Sequence, residues 1–139
     1  MKKVCVLGFF LGLLFNLELK AQDVNSCMQD LSIFAEYVKV KNYASATDPW
    51  TKVRENCPDI NVAIYTYGER IIKDQIKNGS PEQIEASKKD LIQLYNEWVK
   101  YFPKNKNKST VGDVMGKKAQ ALLDFKMADL KEIYSIFND

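Results

Sequence analysis

The sequence predicts an all-α fold of about six helices, built as a stack of antiparallel helix hairpins. Three observations predict it. Apolar residues recur every three to four positions over long stretches, and no segment alternates as a strand does. Capping residues, glycine and proline punctuate those stretches at helix-length intervals. One phrase also occurs twice. Ala46, Trp50 and Pro58 follow A-x3-W-x7-P, and Leu91, Tyr95 and Pro103 follow L-x3-Y-x7-P.

The first segment reads as a targeting signal rather than as part of the fold. Lys2 and Lys3 precede the apolar run from Val4 to Leu17, which only Gly8, Gly12 and Asn16 interrupt. Glu18 and Lys20 end it, and Ala21 offers a small residue before Gln22. These are the parts of a signal peptide, here residues 1–21. The competing reading is an uncleaved anchor, but the run falls short of the ~20 apolar residues a spanning helix needs. No stable membrane anchor is therefore expected after removal. Cys5 precedes the run, and polar and charged residues separate Cys27 from it, so neither is placed for lipid attachment.

Removal leaves 118 of the 139 residues, enough for one small domain over 22–139. It also changes the charge. Lys2, Lys3 and Lys20 against Glu18 fall in the signal, so the 20 basic and 18 acidic residues become 17 of each. The basicity belongs to the targeting segment, which excludes the electrostatic footprint of a nucleic-acid binder.

The first helix is expected from about Ser26 to Val40, with Leu31, Phe34 and Val38 as one stripe and Ile33 and Tyr37 broadening it. Lys41-Asn42-Tyr43 is the turn. The second runs from about Thr47 to Asn56, with Thr47 or Asp48 as cap and Pro49 in its first turn. Pro58 blocks continuation. The third spans about Asp59 to Lys77, its inner face marked by Ile60, Ile64, Tyr67, Gly68 and Ile71, and Asn78-Gly79 stops it. Ser80-Pro81-Glu82-Gln83 starts the fourth as a capping box with proline at the first helical position. Ile84, Leu91, Tyr95, Trp98, Val99 and Phe102 then keep helical spacing up to Pro103. The fifth, about Thr110 to Lys126, carries Val111, Met115, Ala119 and Leu122. The sixth starts near Ala128 with Leu130, Ile133, Tyr134 and Phe137. The helices group into pairs of about 26–57, 59–102 and 110–138.

Ile64, Tyr67, Gly68 and Ile71 supply the complement of the repeated phrase: large, large, glycine, large. Gly68 lies mid-helix, where glycine costs ~1 kcal/mol relative to alanine. A neighbouring helix packed against the missing side chain accounts for that cost. With Tyr37, Tyr43, Ala46, Trp50 and Pro58 in the first pair, and Leu91, Tyr95, Trp98 and Pro103 in the second, the chain resembles tetratricopeptide-repeat proteins. In particular it resembles the divergent kind exported by Gram-negative bacteria of the Bacteroidetes type. The match departs from the pattern at Asp30, Phe34 and Pro49. Pro58 and Pro103 lie 45 apart where the motif has ~34. The expected form is an irregular α-hairpin stack, and the competing architecture is a closed helical bundle.

Cys27 and Cys57 fall at the start of the first helix and the end of the second, which an antiparallel hairpin brings together. Export exposes them to an oxidising compartment, so a disulfide between them is expected. Histidine is absent. A Ser-His or Cys-His nucleophile pair is thereby excluded, and two cysteines alone make no structural zinc site. The carboxylates are scattered along helix faces, and no Gly-rich phosphate loop occurs. No enzyme activity, metal or cofactor is expected.

Lys100, Lys104, Lys106 and Lys108 form a local basic patch, and Tyr65 lies off the main stripe of its helix. These five residues are the candidate partner surface. The resemblance implies a non-catalytic scaffold for protein–protein contact, periplasmic or extracellular. The sixth helix has no stop signal, which fits the N-terminal part of a longer array. The alternative is a small exported bundle that binds an apolar ligand or lipid.

Overall fold

The computed structural model describes residues 24–103 and 111–137. The expected signal peptide, the positions of Lys104, Lys106 and Lys108, and the predicted start of the fifth helix lie outside the described residues. The described chain is all-α, with six helices and no strand. They are α1 (24–39), α2 (Tyr43–Asn56), α3 (Ala63–Asn78), α4 (Pro81–Tyr101), α5 (Val111–Asp124) and α6 (Leu130–Ile136). From α2 onward each helix packs on the next in chain order. No described helix is long and apolar enough to cross a membrane.

Helix α1 buries Cys27, Leu31, Phe34 and Val38, one stripe at four- and three-residue spacing. Ile33 and Tyr37 do not broaden it. Tyr37 is 38% exposed and Ile33 46%, because both lie a third of a turn away from the side that meets the core. Lys41 ends the helix in the left-handed region at φ 59°. Asn42 N–H donates back to the Tyr37 carbonyl at 2.8 Å, and Lys41 N–H to that of Val38 at 3.1 Å, a Schellman closure. Lys126 at φ 56° closes α5 in the same way, with Met127 donating to Leu122. Glycine fits this conformation without the Cβ clash. Lys41→Gly is therefore expected to raise stability by about 1 kcal/mol, read as a higher urea midpoint. An unchanged midpoint would show that the lysine carries no strain.

Helix α2 begins four residues earlier than its sequence predicts. Asn42 caps it, its side chain accepting from Ser45 N–H at 3.3 Å. Pro49 consequently sits inside the helix rather than in its first turn. Its missing N–H removes the helical bond to the Ser45 carbonyl, and Ser45 is exposed. Burial of Ala46, Pro49, Trp50 and Val53 against α1 and α3 outweighs that loss.

Helix α3 begins four residues later than predicted. Asn61 Oδ1 accepts from Ala63 N–H at 2.8 Å, so the chain turns between Cys57 and Val62 instead of being helical there. Ile64, Tyr65, Gly68, Glu69, Ile71 and Ile72 are all buried. Such adjacent buried positions cannot share one stripe. They show a central helix covered by α2 on one side and α4 on the other. Tyr65 is thus corrected from surface to core. It is fully buried, its ring lies 6.1 Å from that of Trp98, and its hydroxyl donates to the Pro58 carbonyl at 2.9 Å.

Ser80 caps α4 as predicted, accepting from Gln83 N–H at 3.3 Å. A complete capping box forms at α6 instead, where Asp129 and Glu132 bond reciprocally. Helix α4 buries Leu91, Leu94, Tyr95 and Trp98. Helix α5 turns Val114 rather than Val111 or Met115 to the core. In α6 only Ile133 is buried, while Leu130 is 74% and Phe137 52% exposed.

Candidate functional site

The residues of the repeated phrase converge on α3. Trp50 Nε1 donates to the Ile64 carbonyl at 2.7 Å, and its indole lies flat over Gly68. A Cβ at Gly68 would stand 2.7 Å from that ring, which is the close approach the mid-helix glycine implies. Tyr95, the counterpart of Trp50, reaches α3 from the opposite side. Its hydroxyl donates to Glu69 Oε1 at 3.1 Å. Ala46, Ile64, Ile71, Leu91 and Trp98 are buried, and Tyr43, Pro58 and Tyr67 are partly so. Tyr37 and Pro103 are exposed and do not pack as the motif implies.

Of the clefts beside this central helix, two lie over ion pairs. The larger, about 480 Å³, opens between α2 and α4 and includes Thr51, Glu55, Gln93, Lys100 and Tyr101 in its walls. Arg54 lies at its base. Its Nη1 donates to Asp90 at 2.8 Å and its Nε to Glu97 at 2.7 Å, while the guanidinium rests 5.1 Å from the centre of the Trp50 ring. Burial opposes the Arg54 charge, but hydrogen bonds and charge from Glu97 and Asp90 more than offset it and hold the pKa raised. Lys100 is exposed and lies over the Tyr101 ring at 4.9 Å.

Removing Arg54 would leave two carboxylates on one face of α4 without their shared counter-charge. Arg54→Met is expected to cost about 1–3 kcal/mol, the range for losing charge-assisted hydrogen bonds. Further substitution of Asp90 by Asn and Glu97 by Gln should recover most of it. Urea unfolding of the single and triple variants tests this, and a triple variant no better than the single one would refute the uncompensated charge as its cause.

The second cleft, about 280 Å³, lies between α3 and α5. Ile76, Leu91, Tyr95 and Phe125 give it an apolar floor, and Lys73 and Lys117 stand at its mouth, each 2.6 Å from a Glu69 oxygen. Among the described residues no group of His, Cys, Asp or Glu is arranged to hold a metal. The Tyr65 and Tyr95 phenols are pushed up. Burial is the main cause, with the charges of Glu97 and Glu69 adding respectively. Both remain neutral hydroxyls, so neither is an activated nucleophile.

Cys27 and Cys57 form the expected disulfide, with Cα atoms 6.4 Å apart. The sequence did not single out Arg54, Asp90, Glu97 or Glu69. Asp90 and Glu97 share a face of α4 through their seven-residue spacing, but nothing local ties them to an arginine 36 and 43 residues earlier. The one local sign at Glu69 is Lys73 a helical turn on. No family model, curated protein or solved structure matches the chain.

Proposed function

We propose that the chain is a non-catalytic helical-repeat scaffold of the tetratricopeptide type, working by protein–protein contact in the bacterial periplasm or outside the cell. The single observation that carries this reading is that open clefts lie between the packed helices, two of them over ion pairs. The charged groups at their bases are committed to structural pairs rather than poised for chemistry. Open clefts between successively packed helices supply extended recognition surface. The Cys27–Cys57 bond supports an oxidising, exported location.

A second reading, binding of an apolar ligand or lipid, draws on the apolar floor of the α3–α5 cleft. Pull-down from an envelope extract with residues 22–139 separates the two. The scaffold reading expects one protein enriched in fixed ratio, with capture lost when the charge of the α2–α4 cleft is changed by Gln93→Arg or by Lys100→Glu. Lipid that co-purifies while no protein is enriched would overturn it in favour of the second reading.

A further inference from the structure

Glu69 is the one charged side chain buried among the described residues. It follows Gly68 on α3, and its carboxylate reaches three helices. Oε1 accepts from Lys73 Nζ of its own helix at 2.6 Å and from the Tyr95 hydroxyl of α4 at 3.1 Å. Oε2 accepts from Lys117 Nζ of α5 at 2.6 Å. Lys117 also lies 5.3 Å from the centre of the Trp98 ring on α4.

Apart from this centre, α5 is joined to the first four helices by an apolar seam along α4. From α5 only Val114 and Ala121 enter the main core, with Phe125 packed against it. Ala119, Leu122 and Ile133 form a small second cluster, against which Ile92 of α4 packs. The first four helices hold one continuous core that includes the disulfide and the Trp50–Gly68 contact. A unit joined by a small apolar seam and one ionic centre opens at lower free energy than the whole domain.

We propose that the Glu69 carboxylate is an acid-sensitive latch: protonating it lets α5 and α6 come away from α3 and α4 as a unit while α1 to α4 stay folded. The charged and titratable groups facing it are Lys73 from α3, Tyr95 from α4 and Lys117 from α5. A protonated Glu69 has no charge to hold Lys117, the ion pair that joins α3 to α5. Opening uncovers Leu91, Tyr95 and Trp98 on α4.

Burial by itself would push the Glu69 carboxyl up. Hydrogen bonds from Lys117 and Lys73 outweigh burial and hold it below the ordinary value of 4.5. The latch therefore contributes fully above that ordinary value and lets go as pH falls through the lower, folded one. It opens in acid, below the ordinary carboxylate range.

The two tryptophans make the test direct. Trp98 lies beneath Lys117 and reports on α5, whereas Trp50 lies between α2 and α3 and reports on the rest. With both labelled as 5-fluorotryptophan, the Trp98 fluorine resonance should change at higher pH than that of Trp50. At neutral pH, Glu69→Gln and Lys117→Met should each speed amide exchange in residues 111–137 by about tenfold or more, the scale of losing a hydrogen bond to a charged group. Residues 43–101 should keep their protection. Lys117 is 41% exposed, so its variant tests the latch even if Glu69→Gln fails to fold. Fluorine signals that move together in one acid transition would overturn the proposal. So would wild-type exchange of residues 111–137 in Lys117→Met.

Discussion

Trp50→Ala is expected to destabilise the domain by about 3–5 kcal/mol, measured by urea unfolding. The substitution empties the space between α2 and α3, removes the 2.7 Å bond to the Ile64 carbonyl, and takes away the ring on which Arg54 rests. The same contact fixes the sign of a second change. Gly68→Ala gains ~1 kcal/mol of helix propensity. In the native background, however, its methyl group meets the indole at 2.7 Å. The indole is buried and pinned to Ile64, so it cannot retreat without losing its bond. Overpacking of about 1–3 kcal/mol should outweigh the gain. With Trp50 already alanine, the clash is gone and Gly68→Ala should become stabilising. The double-mutant cycle reads that reversal directly. Equal effects in the two backgrounds would mean that Gly68 is not there for Trp50.

Loss of the Cys27–Cys57 bond should cost about 3–4 kcal/mol. The bond closes a loop of 30 residues between two nearly buried positions. Its main effect is to restrict the unfolded chain, so Cys27→Ser, Cys57→Ser and the double variant should all fall by similar amounts. For a domain of about 100 residues this is a drop in Tm of roughly 12–30 °C. Calorimetry with and without reductant checks it. An unchanged Tm after verified reduction would assign the fold's stability entirely to the helix packing.

What could be read from the sequence follows from the range of the interactions. The α1 stripe, the cap at Ser80 and the place of Gly68 depend on residues within one or two turns, and spacing records them. Cys27 and Cys57 were legible because an antiparallel hairpin dictates where its ends meet. Tyr65 was misplaced because a single-stripe reading assumes one covered face, and α3 is covered on two. Pro49 misdirected the start of α2, since a proline inside a helix is costly unless nearby burial offsets it. Arg54 with Asp90 and Glu97, and Glu69 with Lys117, join residues 36 to 48 positions apart. No local pattern announces such pairs. The clefts are harder still to foresee, because they are the spaces left where α2 and α4, or α3 and α5, flank a common neighbour.

The disulfide also decides how the chain would carry tension. A pull applied ahead of Cys27 passes through the sulfur bridge to Cys57, and the 30-residue loop between them bears no load. About 100 Å of possible extension, at 3.3–3.6 Å per residue, is thereby withheld. The first hairpin acts as an inextensible link. Lengthening under force would begin at the opposite end, where α6 is held by a single buried side chain.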